Sequence, residues 1–189
     1  MINRKTWVVA VIVSFAAMVT IHHWIKKQPT TKDVKQAAEN ARVPELQGKP
    51  APDFTVPLLD GTEFKLSNNT GKRIVLINVF ATWCGPCRKE MPELNRFWEA
   101  RKSDKFIMIA VNASEKRGVV QSFLKDNPLS FPVALDERGE VAQKYDVDAY
   151  PTTIIVGVDG RIALYEKGAV MNADVAFSKV LDVQLQLLN

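Results

Sequence analysis

The stretch Ile74-Val75-Leu76-Ile77-Asn78-Val79-Phe80-Ala81-Thr82-Trp83-Cys84-Gly85-Pro86-Cys87 decides how the rest of this 189-residue chain is read. Its first seven residues form a nearly continuous apolar run of strand length, the pattern of a strand covered on both faces. Beyond the cysteines, Cys87, Met91, Leu94 and Trp98 recur at steps of four, three and four to about Lys102, which marks one face of a helix. Pro92 falls inside that helix and predicts a kink. The only two cysteines of the chain therefore lie at a strand-to-helix junction, separated by Gly85-Pro86.

That placement has chemical consequences. A cysteine at the start of a helix sits among backbone N–H groups without intrahelical partners, at the positive end of the helix dipole, so its thiolate is favoured. In Cys-X-X-Cys sites of this kind the nucleophile's pKa falls from about 8.5 to roughly 7 or below. Cys84 is expected to be that nucleophile, open to solvent, and Cys87, one turn later and directed inward, the resolving thiol. Pro86 suits the first helical turn, where its missing N–H costs nothing. Trp83 supplies a flat apolar cover beside the nucleophile. A purely structural disulfide would close too short a loop to stabilise the fold much. Zinc is disfavoured because no second cysteine pair exists, and His22 and His23 lie in an apolar segment where neighbouring residues do not face one pocket. No metal ligand and no cofactor is assigned.

Working outward, residues 106–111 read as a second buried strand, so that strand, helix and strand form a right-handed parallel crossover. A helix over residues 115–125, with Val119, Phe123 and Leu124 inward, stops before Asn127-Pro128. Residues 131–135 read as a short strand and 140–145 as a short helix. Residues 152–158 and 161–167 flank Asp159-Gly160 as a hairpin. Phe177, Leu181, Leu185 and Leu188 mark the inner face of a terminal helix. Upstream, residues 53–57 and 63–66 flank Asp60-Gly61 as an N-terminal hairpin, with Pro57 favouring an edge. The expected class is α/β, an open mixed central sheet with helices on both faces and an inserted α-β-α segment.

The first 47 residues have a different character. Residues 7–25 contain no Asp, Glu, Lys or Arg, and as a helix rising about 1.5 Å per residue they would span roughly the hydrocarbon thickness of a bilayer. Such a segment is a transmembrane helix or a cleavable signal peptide; the apolar run continues past Ser14-Phe15-Ala16, which favours an uncleaved signal anchor. Trp7 and Trp24 stand where interfacial aromatics belong. Residues 26–47 read as a polar tether, in part helical around 34–41, leaving 48–189 as the catalytic domain. Basic residues flank the span on both sides, so charge leaves its orientation open. The net charge of +4 belongs to this region: residues 1–47 carry seven Lys/Arg against three Asp/Glu, while residues 48–189 carry eighteen of each. A balanced domain offers no field for phosphates, so a nucleic-acid partner is not expected, and the basic flanks suit anionic headgroups.

The string from Phe80 to Cys87, followed by Tyr150-Pro151-Thr152, resembles thioredoxins. The hairpin beginning Ala51-Pro52-Asp53-Phe54, the insert over 115–148 and the anchor narrow the resemblance to the TlpA/ResA-like branch, which also contains the cytochrome c maturation proteins called CcmG or DsbE. The resemblance covers about residues 48–188 and implies a thioredoxin-like fold. It implies that Pro151 is a cis-proline facing the cysteine pair, with Trp83 and Tyr150 beside it as the client-binding surface. Glu90 matches an acidic position that tunes the cysteines, although by itself it reads equally well as a solvated helix carboxylate. Asn78 stands where ordinary thioredoxins carry a buried aspartate. Pro151-Thr152 departs from the Pro-Glu of CcmG-type proteins, which counts against a specialised haem pathway. Gly85-Pro86 is the dipeptide of reducing thioredoxins.

The family works outside the cytoplasm, which implies a domain facing the periplasm, or its equivalent, from the inner membrane. Its implied work is reducing disulfides of exported client proteins with electrons from a membrane donor of the DsbD/CcdA type. Two other readings use the same residues. In a peroxiredoxin, a Pro-X-X-X-Thr-X-X-Cys string activates the thiol; here Ile77 and Ala81 occupy the proline and threonine positions. A Cu(I)-holding module would use the two thiolates, with Met91 and Met108 better explained as core.

Overall fold

A computed structural model describes residues 46–188; the expected transmembrane segment and most of the tether lie outside the described residues. The elements are β1 (Thr55–Pro57), β2 (Glu63–Lys65), a 3-10 turn (Leu66–Asn68), β3 (Ile74–Phe80), α1 (Gly85–Arg101), β4 (Phe106–Ala113), α2 (Arg117–Asp126), β5 (Val133–Asp136), α3 (Glu140–Lys144), β6 (Thr152–Val156), β7 (Ile162–Lys167) and α4 (Ala173–Gln186). Strands β5, β4 and β3 run parallel, and β6 and β7 complete the sheet antiparallel, in the order β5-β4-β3-β6-β7. β1 and β2 form a separate antiparallel ribbon.

Alternation along β3 separates two cores. Ile74, Leu76 and Phe80 face α1, α2 and α4, meeting Met91, Leu94, Phe97, Val120, Phe177 and Leu181. Val75, Ile77 and Val79 face the ribbon and α3, meeting Phe54, Phe64, Val141 and Tyr145. All seven residues of β3 are buried, as an unbroken apolar run in a central strand requires. Burying each aliphatic side chain contributes about 1.5–3 kcal/mol. Asn78 stands among them 1% exposed, so its amide must find partners inside the protein.

α3 is only five residues long and follows Gly139 in the left-handed region, φ 71°. Asp136, at the end of β5, holds it: Oδ1 accepts from Glu140 N at 2.8 Å, and Oδ2 accepts from Val141 N at 3.0 Å and Ala142 N at 3.1 Å. Removing these acceptors strands up to three helix-start donors, so Asp136→Ala is expected to lower stability by about 1–3 kcal/mol. Urea unfolding of the two proteins measures this, and an unchanged midpoint would contradict it.

Some local expectations are corrected. α2 begins at Arg117 rather than at Glu115, and Val120 is its buried residue while Val119 is 49% exposed. Phe123 and Leu124 pack on the core from half-buried positions. On α1, Trp98 is half-buried, and the inner face holds Phe97 and Glu90 as well as Cys87, Met91 and Leu94. α1 runs through Pro92 as one helix. β6 ends at Val156, with an irregularity between Ile155 and Val156 before the turn.

Candidate active site

β3 ends in the sheet interior, and the chain turns over residues 81–84, with Cys84 N donating to Ala81 O at 3.1 Å. Cys84 is the N-cap of α1 with extended backbone, φ −75° and ψ 110°, and its sulfur accepts the N–H of Cys87 at 3.1 Å. A sulfur thus fills the place that a serine or aspartate oxygen takes at most helix starts, satisfying one of the unpaired donors. Pro86 lies in the first turn. Cys84 and Cys87 form a disulfide, S–S 2.14 Å with Cα atoms 5.3 Å apart. In this oxidised state Cys87 is wholly enclosed and Cys84 is 4% exposed, far less open than its sequence position suggests, because its sulfur is tied back to Cys87 twice over.

Glu90 is one turn beyond Cys87 on the buried face of α1 and is itself fully buried, which overturns the reading of it as a solvated helix carboxylate. Its Oε1 accepts from Asn78 Nδ2 at 2.9 Å and its Oε2 from Val170 N at 2.8 Å. Asn78 Nδ2 also donates to Thr153 Oγ1 at 3.0 Å. Burial pushes the Glu90 carboxyl up to about 7, and the two donors only moderate that rise. A buried acid is therefore present after all, carried on α1 and presented by the asparagine of β3.

Trp83 is 68% exposed, and its ring meets Tyr150 edge-on with centroids 5.9 Å apart. The Tyr150–Pro151 peptide bond is cis. Pro151 is buried and its carbonyl accepts from Gly168 N at 2.8 Å, which joins the start of β6 to the loop of residues 168–171. That loop carries Val170, whose N–H serves Glu90, and Met171, 65% exposed. Burial raises the Tyr150 hydroxyl pKa, and the charges of Asp136 and Glu115 add to it.

Two site residues have no signature in the sequence. Glu115 accepts from both Thr82 N and Thr82 Oγ1 at 2.6 Å and from Asn112 Nδ2 at 2.7 Å, although by its sequence position it reads as the first residue of a helix. Val170 serves Glu90 by its backbone, which no side-chain pattern reveals. Among the described residues, no group of three or more His, Cys, Asp or Glu side chains gathers as a metal would require. The assembly can hold a reversible disulfide at a helix start with a carboxyl titrating near neutrality behind it.

Comparison with known proteins agrees with this chemistry. Residues 46–183 match the Redoxin family. Thiol-disulfide oxidoreductase ResA of Bacillus thuringiensis subsp. konkukian (strain 97-27) is 39% identical over 121 residues, 64% of this chain and 69% of that protein. ResA of Bacillus subtilis (strain 168) is 35% identical over 116 residues, 61% of this chain and 64% of that protein. Among solved structures, a chain from Chlorobium tepidum assigned as the thiol:disulfide interchange protein DsbE superposes with TM-score 0.64 at 33% identity, over 75% of this chain and 96% of its own. StoA from Bacillus subtilis superposes with TM-score 0.59 at 29% identity, over 67% and 94%. The fold is accordingly thioredoxin-like, with a mixed sheet and an N-terminal hairpin. The chain belongs to the Redoxin family, as a ResA-like thiol-disulfide oxidoreductase whose active-site disulfide is Cys84–Cys87.

Proposed function

We propose that this protein is a membrane-anchored, extracytoplasmic reductase that opens disulfides in exported client proteins. The observation that carries the reading is the asymmetry of the pair: Cys84 caps a helix start, while Cys87 lies within the first turn, three residues before the buried Glu90 on the same helix face. In the reduced protein the Cys84 thiolate, stabilised by the N–H groups of the first turn, attacks one client sulfur. A Cys84–client S–S bond forms, the client S–S bond breaks, and the other client sulfur leaves as a thiolate that takes a proton. Cys87 then gives its proton to the Glu90 carboxylate and attacks Cys84 Sγ, which forms Cys84–Cys87 and releases the second client thiol. A group titrating near 7 accepts and returns that proton efficiently at neutral pH. The client disulfide gains two electrons and the Cys84/Cys87 dithiol loses them.

Trp83 and Tyr150, with the backbone at the cis Pro151, form the surface that receives the client. The exposed indole, with its edge contact to Tyr150, offers apolar area next to the nucleophile. Residues 7–25 hold the protein in the inner membrane, and a membrane donor of the DsbD/CcdA type reduces it again. Such a supply is needed because extracytoplasmic compartments oxidise thiols.

Equilibration of the Cys84/Cys87 pair with glutathione buffers tests the direction of electron flow. The Gly85-Pro86 dipeptide leads to a potential nearer about −270 mV than the roughly −120 mV of strong oxidants. A value above about −150 mV would make the protein an oxidase or isomerase of its clients.

A further inference from the structure

Several departures from ordinary local structure converge on one carboxylate at the C-terminal ends of β3 and β4. Thr82 directs its backbone N–H to Glu115 Oε2 and its hydroxyl to Glu115 Oε1, both at 2.6 Å, so both oxygens of one side chain are committed to one residue of the active-site turn. Asn112 Nδ2 donates to Oε2 at 2.7 Å from behind. Asn112 is fully buried in β4 opposite Phe80, and its Oδ1 has no partner. A buried amide oxygen without a donor is unfavourable to the fold. Ser114 has φ 62°, a left-handed backbone that a residue with a Cβ seldom adopts, and this residue turns the chain out of β4 just ahead of Glu115. α2 gains nothing from the arrangement. Ser and Glu are residue types that commonly close a helix start, yet Lys116 is the N-cap and makes no side-chain cap; Arg117 N donates to Glu137 Oε1 at 3.0 Å instead. Unfavourable features that gather in one place point to a geometry kept for function.

What the geometry holds is the turn of residues 81–84. Trp83 has little burial to fix it, being 68% exposed with one edge contact. Cys84 is held on its far side by the disulfide and by the bond from Cys87 N. Reduction removes the disulfide at the moment the turn must present a nucleophile. The paired, charge-assisted bonds from Thr82 to Glu115 do not depend on the redox state of the sulfurs.

From this juxtaposition we infer that Glu115 is a positioning residue for thiol-disulfide exchange: acting through Thr82, it holds the turn so that the reduced protein presents Cys84 and Trp83 to a client disulfide in one orientation. The inference rests on the reading of Cys84 as the nucleophile.

The experiment compares two reactions of the reduced protein: exchange with a peptide carrying one intrachain disulfide, which demands in-line approach beside Trp83, and alkylation of Cys84 by iodoacetamide, which asks mainly for a thiolate. Glu115→Gln keeps one acceptor oxygen where two are needed. It is expected to slow peptide exchange by roughly tenfold to a hundredfold, the scale of a small misplacement of a reacting atom. Alkylation across pH 5–9 should change by less than about threefold, because thiolate attack on a small reagent depends chiefly on the thiolate fraction. Thr82→Ser, which keeps both donors, should match the wild type. Thr82→Val, which keeps only the N–H, should lose part of the exchange rate, and combining it with Glu115→Gln should cost less than the product of the two single losses. Thr82→Val also keeps the test decisive if Glu115→Gln does not fold. Exchange by Glu115→Gln within twofold of wild type, or equal losses in exchange and alkylation, overturns the inference and leaves the exchange chemistry standing. A wild-type protein that does not reduce the peptide, or a Cys84→Ser variant that does, overturns the reading beneath it.

Discussion

Cys87→Ala is expected to halt the reaction halfway, leaving a client covalently attached to Cys84, whereas Cys84→Ser should attach to nothing. The difference follows from the helix start. The sulfur at the N-cap accepts a backbone N–H and, once reduced, lies among donors that stabilise its thiolate; Cys87 lies inside the helix, past that cap, and is wholly buried. Without Cys87, nothing internal attacks the mixed disulfide, so it persists until an external dithiol releases it. On a non-reducing gel the Cys87→Ala protein should shift by the mass of its client, and the shifted band should vanish on reduction. Turnover of disulfide substrates by Cys84→Ser should fall by at least about a thousandfold, as loss of a nucleophile commonly does. Both variants should stay folded, because by chain entropy so short a disulfide loop contributes only roughly 2 kcal/mol. Equal yields of adduct from the two variants would refute the assignment of roles.

The second large effect concerns Glu90 and pH. Its carboxyl titrates at about 7 in the folded protein against an ordinary 4.5, because it is buried on α1 and its two donors only partly offset the lost hydration. Between those two values the folded state binds more protons than the unfolded one. Stability is therefore greatest below about pH 4.5 as far as this group is concerned, falls as pH rises through 7, and levels off above it. A shift of this size corresponds to a decline on the order of 3 kcal/mol. Glu90→Gln has no charge to bury, so its unfolding free energy should lose this slope between pH 5 and 8. The same substitution removes the proposed proton acceptor for Cys87 and should slow resolution of the mixed disulfide by roughly 10²–10⁴-fold. Urea titrations at a series of pH values measure the first effect and rapid quench of a single turnover the second. A wild-type slope that survives in Glu90→Gln would show that another group is responsible.

How far the sequence can be read depends on the range of the interaction. β3 was legible because six of its seven residues are apolar, and such a run in a strand has few places to go but a sheet interior. The placement of Cys84 at a helix start was legible because Pro86 and the periodic residues after it are local signals. α2 shows where local signals weaken. Val119 and Val120 both fit a helical period with Phe123 and Leu124, and diversion of Glu115 to Thr82 accompanies a helix start at Arg117, with Val120 turned inward.

The amino-acid sequence by itself determined the class of fold, the order of its elements, and the dithiol at the end of β3 that carries the chemistry, since each is written in patterns spanning a strand or a few helical turns. The tertiary structure decided where the carboxylates around that dithiol lie and what they bond. Glu90 is near neutrality because the fold buries it, and Asn78, twelve residues away, and Val170, eighty away, donate to it there and hold that rise in check; Glu115 grips Thr82 across thirty-three. Hydrogen bonds of that sequence separation exist only after the sheet has brought the strand ends together, and the solvation they replace is what sets the charge of a buried acid.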